Sequence, residues 1–226
     1  MRHFLIGNGH SILDTPLDLL KGEVTWGINR PPIKTTYYVC LDVSDKDHDW
    51  QRAVDMDCKK VFLWDGFKGQ FFGNNIEWLT RCIKSMHHYY AADNTDKRAE
   101  SWHLPDICTA FGSMYPAMQL AVMNGATEIY LVGCDLFTGK NDHYDGNYPE
   151  FADWKERNLI ENHLHTVSRR SCPVPVYNAT VGGNLEVYPR VDIHKILKVD
   201  QLEVDQIDPY VLQVARQSSP ISINKE

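Results

Sequence analysis

Short apolar runs alternate along this chain with longer amphipathic stretches, the pattern of β-strands separated by crossover helices in a largely parallel sheet. The runs HFLIG (3–7), VTWGI (24–28), YYVCL (37–41), KVFLW (60–64), EIYLVG (128–133) and VPVYN (174–178) read as strands. Their near-continuous apolar character predicts a sheet covered on both faces. The clearest helix runs from Ser113 to Asn124, where Met114, Ala117, Met118, Ala121 and Val122 recur at helical spacing and Gly125 stands where a C-terminal cap belongs. A second helix reads from about Pro149 to Arg169, with Phe151, Trp154, Leu159 and Leu164 as a looser stripe.

Between Asp65 and Cys108 the pattern loses its regularity. Gly66, Gly69 and Gly73 precede a helical stretch near 76–90 and a polar patch at 93–98, and the span reads as an insertion or lid. Residues 217–226 read as a polar tail, and no internal repeat is present. The expectation is therefore one Rossmann-like α/β domain over 1–216, with helices on both faces of the sheet and 65–108 as the insertion.

Composition narrows the classes. At 226 residues, 43% hydrophobic and 23% charged, the chain has ordinary globular usage and is neither disordered nor fibrous. A net charge of -7 argues against nucleic acid as the main partner. The six cysteines are singly spaced with no C-x-x-C pair, so no zinc ribbon, redox motif or disulfide framework is indicated. With no apolar stretch of eighteen residues, no transmembrane segment is expected, and the cytoplasm is the expected location.

Candidate chemistry begins at the loop Gly7-Asn8-Gly9-His10-Ser11, directly after the first strand, where open α/β sheets bind ligands. Gly7 and Gly9 would let backbone N–H groups approach a phosphate or ribose, and Asn8 and Ser11 offer short polar side chains. The loop is not the dinucleotide fingerprint, because Ile12 stands where the third glycine belongs, and no P-loop pattern occurs anywhere. Gly112 and Ser113 at a helix start form a second place for negative charge or polar substrate atoms. Asp135, after the strand 128–133, is placed to bind a base, a sugar hydroxyl or a metal, or to cap its own loop. Farther on, the polar loop TGKNDHYDGNYPE carries Asp142, His143, Tyr144, Asp145 and Tyr148. A histidine titrates near pH 6.5 in its ordinary state, so His143 is a candidate general base. His87-His88 and His163-x-His165 lack partner ligands at a recognised spacing, and no metal site is expected from them.

Three blocks, GNGHS, GINR and GSMYPAMQLAVMNGATEIYLVGCDLF, resemble segments of bacterial sialyltransferases that modify lipooligosaccharide using a CMP-sugar. They are equally similar to the hydroxymethylpterin diphosphokinase-like family, which includes flagellin-glycosylation accessory factors. The sialyltransferase resemblance implies that Gly7, Asn8, Gly9, Ser11 and Asn29 hold the nucleotide, with Gly112 and Ser113 contacting the donor. It also implies His143 as the base on the acceptor hydroxyl, and Tyr144 or Tyr148 as partners of the departing phosphate. Ala110-Phe111-Gly112 departs from the threonine-serine-glycine of that family's turn. The near-terminal VYNATVGG resembles the diphosphokinase-like branch, which would place Asn178, Thr180, Gly182 and Gly183 along the site; the same element also reads as a plain glycine loop.

The reading that emerges is a nucleotide-dependent transferase, leaning to glycosyl transfer from a CMP-sugar to a small-molecule or glycan acceptor, with no tightly bound cofactor expected. The alternative is pyrophosphoryl transfer from ATP, which would require Mg²⁺ with Asp135 and Asp142 as its ligands. A non-catalytic nucleotide-binding accessory protein needs only the fold. Association into an oligomer is compatible with all three.

Overall fold

The structure is a computed structural model and describes residues 1–41, 57–64, 75–79, 102, 113–138, 143–144, 146 and 152–197. The chain divides into two compact units, Met1–Asp192 and Ile193–Glu226. The expected tail at 217–226, like most of 65–108, lies outside the described residues.

Among the described residues of the first unit, seven strands form one parallel sheet: β1 (Arg2–Ile6), β2 (Val24–Ile28), β3 (Tyr37–Cys40), β4 (Lys60–Trp64), β5 (Ile76–Leu79), β6 (Glu128–Val132) and β7 (Val176–Asn178). Their order is β5-β4-β3-β2-β1-β6-β7. The chain thus steps outward from β1 to β5 and then returns to place β6 on the other side of β1. That reversal is a topological switch point, and the carboxyl ends of β1 and β6 border the crevice where such sheets bind ligands. The fold is α/β and Rossmann-like, as the alternation of apolar and amphipathic stretches predicts.

Two helices connect the returning strands, α1 (Met114–Met123) before β6 and α2 (Trp154–Ser171) after it. Residues Tyr115 to Ala121 of α1 are all buried, Gln119 being the one polar side chain among them. Pro116 is tolerated because it falls in the first turn, where its missing N–H has no helical partner. The helix stops at a Schellman motif: Gly125, at φ +86°, donates to Val122 O, and Ala126 donates to Ala121 O, each at 3.0 Å.

Alternate strand positions face opposite sides of the sheet. On one side Leu5, Trp26, Val39, Phe62, Ile129 and Leu131 pack with α1 residues in the main core, where Trp26 stacks on Tyr37 and Phe62 at ring separations of 4.3 and 5.6 Å. On the other, Phe4, Tyr130 and Tyr177 stack in a row at 5.0 and 5.2 Å, one ring from each of β1, β6 and β7.

One element departs from the pattern reading. Ile76–Leu79, expected to begin a helix, is a parallel edge strand in register with Val61–Trp64. Its residues IEWL are too few to show a period, and β4 supplies the hydrogen-bonding partner from outside the local sequence. Within the second unit, the described residues form one short helix, α3 (Ile193–Leu197).

Candidate functional site

The loops after β1 and β6 are bonded to each other. Gly7 N–H donates to Val132 O at 2.8 Å and Gly9 N–H to Gly133 O at 2.9 Å. Ser11 completes the junction: its N–H donates to Asp135 Oδ2 at 2.8 Å, and its hydroxyl donates to Asp135 Oδ1. A Cβ on Gly9 would fall 2.5 Å from Asp135 Cγ and 2.7 Å from Gly133 O, so only glycine permits this approach. From the sequence, the N–H groups of Gly7 and Gly9 are expected to face a phosphate or ribose, and Ser11 to offer its side chain. In the structure the N–H groups of Gly7, Gly9 and Ser11 satisfy buried acceptors of the neighbouring loop instead, because two loops buried together must pair each other's polar groups. Asp135 and Ser11 form the clamp that holds the crevice open at a set width.

Between these loops lies a cavity of about 190 Å³. Asn8, Asn29, Ser113, Asp135 and His143, all read from the sequence, line it together with Gly7 and Gly9. Asn8 is 7% exposed, and its Oδ1 has no hydrogen-bond partner among the described residues. A buried, unpaired amide oxygen costs roughly 1–3 kcal/mol and is suited to a ligand that brings a hydroxyl or amine donor. Asn29 adopts φ +54°, a conformation asparagine tolerates better than most residues. It is held there by Asn29 N–H donating to Val39 O at 2.9 Å and by the Tyr38 hydroxyl donating to its carbonyl. Leu136, also on the wall, sits at φ +58°; left-handed backbone at a residue other than glycine or asparagine is a strain that concentrates at functional sites.

His143 and Tyr144 dock across the mouths of β1 and β2. His143 forms an antiparallel bridge with Gly9, Tyr144 N–H donates to Asn8 O at 2.9 Å, and the Tyr144 hydroxyl donates to Arg30 O at 2.9 Å. Arg30 Nη2 lies 3.3 Å from His143 Nδ1. A guanidinium can only donate, so Nδ1 accepts and the neutral imidazole carries its proton on Nε2. In this tautomer Nε2 can donate. Gly112, Asp142, Asp145 and Tyr148 lie outside the described residues.

The sialyltransferase CstII from Campylobacter jejuni, in complex with a substrate analogue, cytidine-5'-monophosphate, matches at a TM-score of 0.54 and 10% identity over 84% of each chain. A point variant of the sialyltransferase CST-II in complex with CMP matches at 0.52 and 9% identity, over 84% of this chain and 86% of that one. The fold is sialyltransferase-like. Nothing in these comparisons supports the diphosphokinase-like resemblance. No family model and no curated protein matches the chain.

The crevice has a third wall, contributed by α2. Glu161 and His165 reach the cavity from α2. His165 is 3% exposed, its Nδ1 lies 3.0 Å from the Tyr188 hydroxyl, and burial pushes its pKa down to about 4. It is a neutral packing residue at physiological pH. Glu161 is half-buried; burial pushes its carboxyl up to about 7, against the opposing pull of Arg157. Glu161 carries no motif, and its only signal is its place on a long helix; Arg30 stands in the GINR block, where nothing local marks it as the partner of His143.

The N-A-T-x-G-G element is scaffolding beside the crevice, buried at Asn178, Ala179 and Thr180 and exposed at Val181, Gly182 and Gly183. Asn178 Nδ2 donates to Leu185 O at 2.6 Å, Thr180 N–H donates to Asn178 Oδ1 at 2.9 Å, and Cys134 N–H donates to Thr180 Oγ1 at 3.0 Å. Asn184 N–H donates to Asp135 O at 2.7 Å, fastening the loop to the clamp residue. Gly183, at φ +74°, leaves no room for a side chain, since a Cβ would lie 2.7 Å from Asp135 Cα. The Arg190 guanidinium holds the turn by donating to the carbonyls of Thr180, Gly182 and Gly183. Asn178, Thr180, Gly182 and Gly183 therefore act on the cavity through Asp135 and Cys134 and do not line it.

A larger cavity of about 680 Å³ lies at the opposite, amino end of the sheet, beside Thr25, Thr35, Thr36 and Lys59. Its polar groups pair with one another, as in Lys34–Asp57 at 2.8 Å and Thr25–Thr36. The amino end of a parallel sheet is not where these folds place ligands, so the smaller crevice is the candidate site. Among the described residues, no group of three His, Cys, Asp or Glu side chains could hold a metal ion, and no helix is long and apolar enough to cross a membrane.

Proposed function

We propose that this chain is a transferase of the sialyl type, moving a glycosyl group from a CMP-sugar to an acceptor hydroxyl. The observation that carries the reading is the crevice at the switch point, where the buried Asn8 amide, Asn29, Ser113 and His143, itself bonded to Arg30, converge in a fold shared with CMP-bound sialyltransferases. Asn8 and Asn29 hold the nucleoside through its hydroxyl and amine groups. Arg30, with the Nε2–H of His143, faces the phosphate, whose charge must be neutralised as it leaves. Tyr144 positions this pair through the Arg30 carbonyl, and Ser11 and Asp135 set the spacing of the two loops.

A thermal-shift screen of CMP, CDP, UDP, GDP and ATP, with Mg²⁺ and with EDTA, tests the reading, because a ligand bound to the folded state raises its stability with occupancy. CMP should raise the melting temperature equally in EDTA and in Mg²⁺. Stabilisation by ATP alone, and only with Mg²⁺, would return the diphosphokinase alternative. CMP binding without release of CMP from any CMP-sugar would leave an accessory nucleotide-binding role.

A further inference from the structure

Besides the buried Cys134 thiol, four titratable side chains among the described residues line the crevice: Asp135, His143, Glu161 and His165. Three are engaged. Both carboxylate oxygens of Asp135 accept from Ser11, His143 Nδ1 accepts from Arg30, and His165 is packed against Tyr188. The Glu161 carboxyl has no hydrogen-bond partner among the described residues, and its place on α2 directs it inward. Asn158, three residues earlier, is pinned to the crevice wall by exchanging bonds with Phe137 N and O at 2.9 and 2.6 Å. His165, four residues later, is buried on the same side. Residues at these spacings share one helix face, and Leu159, off that face, is 73% exposed.

We propose that Glu161 accepts the proton of the acceptor hydroxyl, an inference that rests on the glycosyl-transfer reading. As the acceptor oxygen bonds to the anomeric carbon of the donor sugar, its proton passes to a Glu161 oxygen. The bond from that carbon to the phosphate oxygen breaks, and its electron pair leaves with CMP beside Arg30 and His143. Nothing is oxidised or reduced, and Glu161 returns its proton to solvent. A carboxyl poised near neutral pH suits a proton acceptor, since it is substantially ionised at pH 7 yet basic enough to take the proton. Its titration is set by burial, which raises it, and by Arg157 on its own helix, which lowers it; Asp135, His143 and the neutral His165 share the crevice it faces.

The test uses CMP-sialic acid, with water as acceptor and CMP release as readout, in the parent, Glu161→Gln, Glu161→Asp and His143→Ala proteins. The expected result for Glu161→Gln is CMP affinity within about twofold of the parent, turnover lower by roughly 10²–10⁴-fold, and loss of the acidic limb of the rate profile near pH 7. Glu161→Asp should keep that limb at reduced turnover, and His143→Ala should keep it with weaker CMP binding. Full turnover in Glu161→Gln, or turnover lost together with CMP affinity, overturns the assignment while leaving glycosyl transfer intact. A parent that neither binds CMP nor releases it overturns both.

Discussion

Ser11 and Asp135, 124 residues apart in sequence, are joined by two hydrogen bonds that couple the loop after β1 to the loop after β6. This pair sits where strand order reverses, and Asp135 also lines the crevice. Hydrogen bonds to a charged partner are worth roughly 1.5–3 kcal/mol. Asp135→Asn should therefore lower the unfolding free energy by about 2–3 kcal/mol, because an amide cannot accept both donors with the strength of a carboxylate. Urea denaturation measures the loss. An unchanged midpoint, with stability that depends on Mg²⁺ in the parent alone, would instead make Asp135 a metal ligand.

Gly9 presses on the same clamp. A methyl group there meets Asp135 Cγ and Gly133 O well inside contact distance. Overpacking of this kind costs typically 1–3 kcal/mol, so Gly9→Ala should be destabilised by at least that amount and should lose CMP binding together with stability. Gly22→Ala is a useful reference: its φ is +90° but nothing lies within 4 Å of the added carbon, so only backbone strain of about 1–2 kcal/mol is expected. Equal melting temperatures for the two variants would remove the close approach as an explanation of the first loop.

Arg190 holds the turn behind the clamp with a planar fork that reaches several carbonyls at once. Lysine keeps the charge but not the fork. Arg190→Lys should cost about 1–3 kcal/mol in unfolding free energy and raise hydrogen exchange in residues 180–185. Protection equal to the parent's would show that the turn stands without it.

Protons separate the buried histidines from Glu161. His3 and His165 have pKa values pushed down to about 4 by burial, from 6.5 when unfolded. Below pH 6.5 the unfolded chain binds two protons that the native state refuses, so this stability is lost as pH falls from 6.5 toward 4. Glu161 works the other way: its native pKa of about 7 exceeds 4.5, so the native state holds one extra proton between those values. The net is one proton, and stability should fall by about 1.4 kcal/mol per pH unit between pH 6.5 and 4.5. In Glu161→Gln the opposing proton disappears and the slope should double. Urea midpoints across that range give both slopes, and identical slopes would mean that Glu161 titrates as an ordinary exposed carboxyl.

Periodicity and turn chemistry in the sequence determined the strand and helix assignments at 24–28, 60–64, 113–124 and 128–133, the glycine stop at Gly125, and the position of the first loop at a strand's carboxyl end. These are local properties: an apolar run, a helical repeat and a left-handed residue are each written within a dozen positions. Asn8, Asn29 and Ser113 could be picked out because each follows or begins such an element, and His143 because of its polar loop and the sialyltransferase resemblance. Tertiary structure alone decided that β6 lies beside β1, and this adjacency directs the N–H groups of Gly7, Gly9 and Ser11 to protein acceptors and makes Asp135 a clamp. It also decided that Ile76–Leu79 pairs with β4, that Arg30 caps the His143 ring, and that Glu161 faces the crevice from α2. Hydrogen-bond partners a hundred residues away, and the withdrawal of water from a carboxyl, depend on what the fold brings alongside, and no window along the chain contains that information.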